Sequence, residues 1–361
     1  MSQNERTKAK GKRQKDAGDS APSGVPSTFA FRLLPFAFPS WAANLLILLL
    51  IVALWPLNWA FEEYLDPYYL RILTNIGISI ILASSLNLIN GITGQFSLGH
   101  AGFMAIGAYT SAILLKYFFT SEQIGQIGPT LGFVGILILS GITAAIAGLI
   151  VGLPVLRLRG DYLAIATLGF CEIIYIVIIN QDTIGPMYVG GASGLHGFPV
   201  FNNFFWTYAV TILCIVCIWR LVYSAKGKAF LAIREDEIAA AAMGINTTYY
   251  KVAAFVIGAF FAGMAGGLMA TLQGSIDPRS FGFTKTIEIV VMVVLGGSGS
   301  ITGVIIAAVV LTWLPEALRF SKEWRMVIYS LLLIAMMLLR PQGLLGSREI
   351  WWTRRRVAAT E

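Results

Sequence analysis

Charged side chains are scarce in this 361-residue chain: they make up 12% of it, about half the share usual in soluble globular proteins. The segment Ile72–Leu115 contains no Asp, Glu, Lys or Arg at all. Histidine is limited to His100 and His196, and cysteine to Cys171, Cys214 and Cys217. So few ligands, with no His/carboxylate cluster, argue against a catalytic metal. Cys214 and Cys217 are spaced C-x-x-C, but they lie inside an apolar run without further ligands, and they read as buried, inert thiols. The pattern G-x-x-x-x-G-K-[ST] is absent, so the chain carries no phosphate-binding loop of that kind. The run GGSGSITG (Gly296–Gly303) places its third glycine one residue too late for a dinucleotide loop, and no strand precedes it. It reads as a tight turn. No Ser–His–acid set stands out. No catalytic residue, metal or cofactor is therefore expected.

What the chain has is apolar sequence. Its hydrophobic fraction is 57% and its mean hydropathy +0.73. A bilayer core of roughly 30 Å takes about 20 apolar residues per crossing helix. The expected fold class is an all-α integral membrane protein, a polytopic bundle of about ten transmembrane helices. The spans read as Trp41–Ala60, Tyr69–Asn90, Ser97–Leu115, Leu131–Leu153, Tyr162–Asn180, Phe204–Tyr223, Val252–Gln273, Thr286–Gly296, Ser300–Pro315 and Met326–Leu339. The eighth and ninth are short, separated only by Gly296–Ser300, and could form one broken hairpin.

The net charge of +7 is distributed asymmetrically. With the N-terminus inside, Arg6, Lys8, Lys10, Lys12, Arg13, Lys15, Arg32, Arg157, Arg159, the loop Arg220–Lys251 and the tail Arg340–Arg356 are cytosolic. The long outer loop Gln181–Asn203 has no Lys or Arg. This is the positive-inside pattern, and an even number of crossings puts both termini in the cytosol. Residues 1–40 form a basic cytosolic tail, with Met1–Ser27 disordered by composition. That tail reads as a solvated, orienting segment in preference to a nucleic-acid binder. Residues 41–343 form the membrane domain with a cytosolic loop at 224–251, and residues 344–361 a second cytosolic tail. The first apolar run lacks a small-residue cleavage site and reads as a retained helix.

Gly148 and Gly152, and Gly263 and Gly267, repeat at the four-residue spacing that lets membrane helices approach closely. Acidic residues inside the spans are few, Glu172 and Glu288 being the visible ones, which leans away from a proton- or ion-driven carrier. Asn87, Asn90, Gln95, Ser97 and His100 flank a Gly-rich break between the second and third spans. Two readings stand side by side. These groups line a substrate route of weak, neutral hydrogen-bonding partners, or they tie two helices together. In the loop Ser224–Lys251, Asp236 and Glu237 lead into an alanine run, favourable at a helix N-terminus, and Gly244 and Asn246 supply the stop. A short cytosolic helix with a small-residue face results, suited to docking on a partner.

The alanine run ending in Gly244 resembles the Glu-Ala-Ala-x-x-x-Gly coupling motif of ATP-binding cassette importer permeases, with Ile238 at the Glu position, followed by Ala239 and Ala240. IREDEIAAAAMGIN is similar to the branched-chain amino acid permeases of the LivM type, as are Leu86–Tyr109, Leu158–Phe170, Val293–Gly303 and Arg340–Gly346. The resemblance implies the importer permease fold and transport of branched-chain or other small neutral amino acids across the bacterial inner membrane into the cytoplasm. It implies a sister permease of the LivH type, two ATPase subunits and a periplasmic amino-acid-binding protein as partners. Arg234, Glu235, Glu237, Ala239, Ala240 and Gly244 would then couple to an ATPase. The alternatives are a urea or short-chain amide permease of the same class and, from another class, an ATP-independent secondary carrier with an inverted repeat. A membrane enzyme would need a catalytic cluster that is not visible.

Overall fold

A computed structural model describes residues 40–118, 129–158, 160–201, 203–320 and scattered positions between 327 and 346. The chain divides into residues 1–49 and 50–361. Of the first unit only helical turns from Ser40 onward are described; the core and the site belong to the second. The tail expected over residues 1–39, most of that over 344–361, and most of the tenth expected span lie outside the described residues.

The described chain is mainly helical: α1 (Ser40–Tyr64), α2 (Pro67–Asn87), α3 (His100–Ile113), α4 (Pro129–Val155), α5 (Asp161–Asn180), α6 (Phe204–Tyr223), α7 (Ala225–Glu235), α8 (Glu237–Ala242), α9 (Thr247–Gln273), α10 (Phe283–Gly296) and α11 (Ile301–Ala317). Six helical stretches are long and apolar enough to cross a membrane: Pro67–Ile92, His100–Phe118, Gly132–Val155, Asp161–Asn180, Phe204–Tyr223 and Thr247–Gln273. These match six of the ten expected spans. Shorter apolar stretches, Ile51–Phe61 in α1 and Ile301–Ala317, stand where the first and ninth were expected. The eighth is α10, only 14 residues long.

Local chemistry sets the ends. Pro67 opens α2, where a missing N–H costs nothing. Asn246 caps α9 by accepting the Tyr249 N–H at 3.1 Å, and Gly274 closes it in the left-handed region at φ 66°. Ser300 caps α11 through the Gly303 N–H at 3.1 Å.

Helix α9 is central, packing on α3 and α4 with α2 alongside. The contact rests on absent side chains. A Cβ on Gly107 would lie 2.1 Å from the Gly263 carbonyl oxygen, and one on Gly263 would lie 2.4 Å from the Ala144 methyl. Backbones of α3, α4 and α9 therefore touch, as the small-residue spacing led one to expect. By contrast, α5 and α6 keep most of their apolar surface uncovered, while α2 is largely enclosed.

At the end of the bundle remote from α7 and α8, the described residues between 181 and 203 fold as a cap. Strand β1 (Thr183–Ile184) pairs antiparallel with β2 (Met187–Tyr188), and β3 (Leu195–His196) with β4 (Ser275–Ile276) after α9. Lys116 donates to the His196 carbonyl at 3.2 Å, and the Tyr117 hydroxyl donates to the Tyr188 carbonyl at 3.0 Å.

Candidate functional site

The site is a set of chain breaks gathered at one end of the bundle. Helix α2 does not stop at Asn87 but widens into a π-helical turn, Leu88–Ile92. The Thr93 N–H reaches back to the Leu88 carbonyl at 3.2 Å and the Gln95 N–H to Ile89 at 3.0 Å. Gly94 then turns at φ 71°, and residues 95–99 run without helix to His100. π-turns strain the helical ladder and recur at functional positions.

Four of the five expected route residues are engaged. The Gly299 N–H donates to Asn87 Oδ1 at 2.9 Å, and Asn87 Nδ2 donates to the Ser300 carbonyl at 3.2 Å. Asn87 thus joins the end of α2 to the turn between α10 and α11. Asn90 clasps the backbone of Ser97, donating to its carbonyl at 3.2 Å and accepting its N–H at 3.1 Å. The Ser97 hydroxyl accepts the Gly99 N–H at 3.4 Å. His100 Nε2 sits 2.8 Å from the Ser85 hydroxyl, while its Nδ1 is buried without a partner among the described residues. Gln95 differs. It is only 3% exposed, yet neither its amide nitrogen nor its oxygen has a partner among the described residues. Leaving such groups unpaired costs about 1–3 kcal/mol each, so the side chain is a net cost to stability where it stands.

Two further segments close on the break. A Cβ on Gly91 would lie 2.3 Å from the Gly299 nitrogen, so only glycine lets α2 meet that turn. The Leu344 N–H donates to the Leu295 carbonyl at 2.7 Å, laying the C-terminal Gly343–Gly346 stretch over Gly297. Thr167 of α5 accepts the Leu98 N–H at 3.0 Å. The described residues of the sequence blocks around 86–109, 158–170, 293–303 and 340–346 therefore meet in space.

The fifth block lies beside them. The helix expected over the alanine run is α8, and a separate helix, α7, precedes it, the two meeting at Asp236. That residue ends α7 in extended backbone, and its carboxylate accepts the Ile238 and Ala239 N–H groups at 2.8 and 3.1 Å. Gly244, at φ 85°, completes a Schellman close: its N–H reaches Ala241 at 3.0 Å and the Ile245 N–H reaches Ala240 at 3.1 Å.

The six expected coupling residues do not share one surface. Glu235, Ala239 and Gly244 are exposed and Ala240 is buried. Glu237 is held by Lys251 at 2.6 Å. Arg234 turns inward, its Nη1 donating to the Gly91 carbonyl at 3.0 Å. Met243, which the sequence reading did not name, and Ile238, which it named only at the Glu position of the motif, are 84% and 70% exposed. Large apolar side chains standing out of a charged loop were the available signal.

A family model described as branched-chain amino acid transport system / permease component matches residues 68–339. The chain belongs to that family. The permease is 39% identical over 335 residues to the high-affinity branched-chain amino acid transport system permease protein LivM of Salmonella typhimurium, covering 83% of this chain and 74% of the relative. LivM of Escherichia coli is 39% identical over 331 residues, covering 82% and 74%. LivH of Escherichia coli, from the same kind of transport system, is 28% identical over 308 residues, covering 80% and 98%. No solved structure matches the chain. Among the permease's described residues no group of His, Cys, Asp and Glu could hold a metal. Glu172 is half-buried on α5, with Oε1 enclosed and unpartnered among the described residues.

Proposed function

We propose that this permease is one membrane subunit of an ATP-binding cassette importer, carrying branched-chain or other small neutral amino acids across the bacterial inner membrane into the cytoplasm. The match over residues 68–339, with 39% identity to LivM, carries the reading. A LivH-like sister permease completes the membrane unit, two ATPase subunits supply the energy, and a periplasmic binding protein delivers the amino acid. The chain crosses the membrane ten times with both termini in the cytosol, the short α10–α11 pair counting as two crossings. No ATP is hydrolysed by this chain.

In this arrangement α7 and α8 face the cytosol and receive one ATPase. The exposed Ile238 and Met243 seat in an apolar groove of that subunit, with Glu235, Ala239 and Gly244 around them. Apolar anchors ringed by neutral contacts are the usual source of docking energy. The route for cargo runs past Asn87, Asn90, Gln95, Ser97 and His100, where weak neutral groups pass a zwitterion along without trapping it. Gln95, lacking a partner among the described residues, is the strongest candidate to contact cargo.

The test is labelled leucine uptake by cells with and without the chain, with unlabelled valine, glutamate and urea as competitors. Uptake that is lost with the chain, restored by it and blocked by valine supports the proposal. Uptake indifferent to the chain, or competed by urea and not valine, overturns the substrate assignment.

A further inference from the structure

Arg234 was grouped with the residues that meet an ATPase, but its side chain points the other way. Its guanidinium donates to the Gly91 carbonyl at 3.0 Å, inside the π-helical turn. A Cβ on Gly94 would lie 3.4 Å from the Arg234 Cβ, and one on Gly299 would lie 2.5 Å from its Nη1. One side chain therefore reaches the near side of the break after α2 and the turn between α10 and α11. Its Nε lies 3.6 Å from Glu235, a carboxylate 76% exposed on the outer side of α7. The Arg234 side chain itself is 29% exposed.

We propose that Arg234 is a positioning residue: its guanidinium pins α7 to the broken end of α2, beside the Gly299 turn, and keeps that end of the bundle closed until α7 moves. This rests on the reading of α7 and α8 as the face that receives an ATPase. Helix α7 is a stiff carrier for the pin, capped by Ser224 and seated through buried Phe230 and Ile233. A guanidinium on a carbonyl is a charge-assisted bond, strong where water is mostly excluded and lost within a displacement of about 1 Å. Such a contact has two settings, made and broken, which a short movement of α7 selects. The glycines at positions 94 and 299 leave the space in which it fits.

The experiment uses the complete transporter, with both permeases, ATPases and binding protein, in proteoliposomes. Cys171, Cys214 and Cys217 are replaced by Ala, and buried Thr93 is replaced by Cys as a reporter of opening at the break. Arg234→Met keeps the apolar stem and removes the donors. It is expected to raise maleimide labelling of residue 93 and ligand-independent ATP hydrolysis about tenfold, while uptake per transporter falls by a similar factor, the size of one coupling interaction. Arg234→Lys, retaining one charged donor, is expected to restore most of the control. Unchanged labelling and hydrolysis in Arg234→Met overturn the proposal. Should Arg234→Met fail to accumulate, Arg234→Gln, which is polar but uncharged and too short to reach the Gly91 carbonyl, decides by the same readouts: an increase in both supports the pin, and wild-type values overturn it. Absence of ATP-driven uptake with the unmodified chain would instead sink the importer reading itself.

Discussion

Lys251 Nζ lies 2.6 Å from Glu237 Oε2, bolting the beginning of α9 to the first turn of α8. Lys251 is 7% exposed and so sits on the enclosed side of the pair. Lys251→Met is expected to free α8 and lower stability by about 1–3 kcal/mol, the cost of stranding a part-buried charge. Glu237→Gln keeps a hydrogen-bond acceptor and should cost less. Thermal unfolding in detergent measures both. Equal, negligible shifts would show that α8 is held by other contacts.

Gln95 and Asn87 should respond differently to the same change. Gln95→Leu removes two buried polar atoms without partners among the described residues, so stability should hold or rise by about 1 kcal/mol while uptake falls roughly tenfold. Asn87→Leu strands the Gly299 N–H and the Ser300 carbonyl and should lower protein level and uptake together. Membrane immunoblots beside uptake per unit protein separate the two. Parallel losses in both variants would make Gln95 a structural residue.

Ile238→Asp and Met243→Asp alter side chains that stand in solvent. Neither should change the melting temperature of the chain by more than about 0.5 kcal/mol equivalent. Each should reduce co-purification of the ATPase subunits by about tenfold or more, as loss of an apolar anchor does. Full retention of the ATPases by the double variant would rule these residues out as the docking anchors.

Gly263→Val places a branched side chain where α3 and α4 backbones already touch α9. Overpacking costs typically about 1–3 kcal/mol, and more where backbone must move. The variant should be found mainly in degraded or aggregated form. Stable accumulation at wild-type level would mean that the three helices separate without cost.

The break after α2 was legible because five neutral polar side chains stand within an uncharged apolar stretch, a pattern lipid does not tolerate. The shortness of α10 and α11 was legible from the five-residue glycine-serine run between them. What each polar group bonds to was not. Asn87 finds its partner 213 residues away in Ser300, and Arg234 finds Gly91 at a separation of 143. No local rule of spacing reaches across such distances. The alanine run announced a helix and its Gly244 stop, but the separate α7 before it was hidden, since Asp236 was read only as a helix start. Its second duty, ending the preceding helix, depends on extended backbone geometry. The inward turn of Arg234 escaped for the same reason: the charge pattern of the loop describes solvent, and this cation faces carbonyl oxygen.

Helix α7 is fixed at both ends, by the Ser224 side chain before its 11 residues and by the Asp236 backbone N–H, bonded to the Ala232 carbonyl, after them. Asp236 also opens α8, so the corner cannot slide along the sequence without uncapping one helix or the other. The segment therefore works as a ruler. One residue inserted within it would swing Arg234 about 100° around the helix axis and away from Gly91, although every side chain remained. What this loop must conserve first is its length.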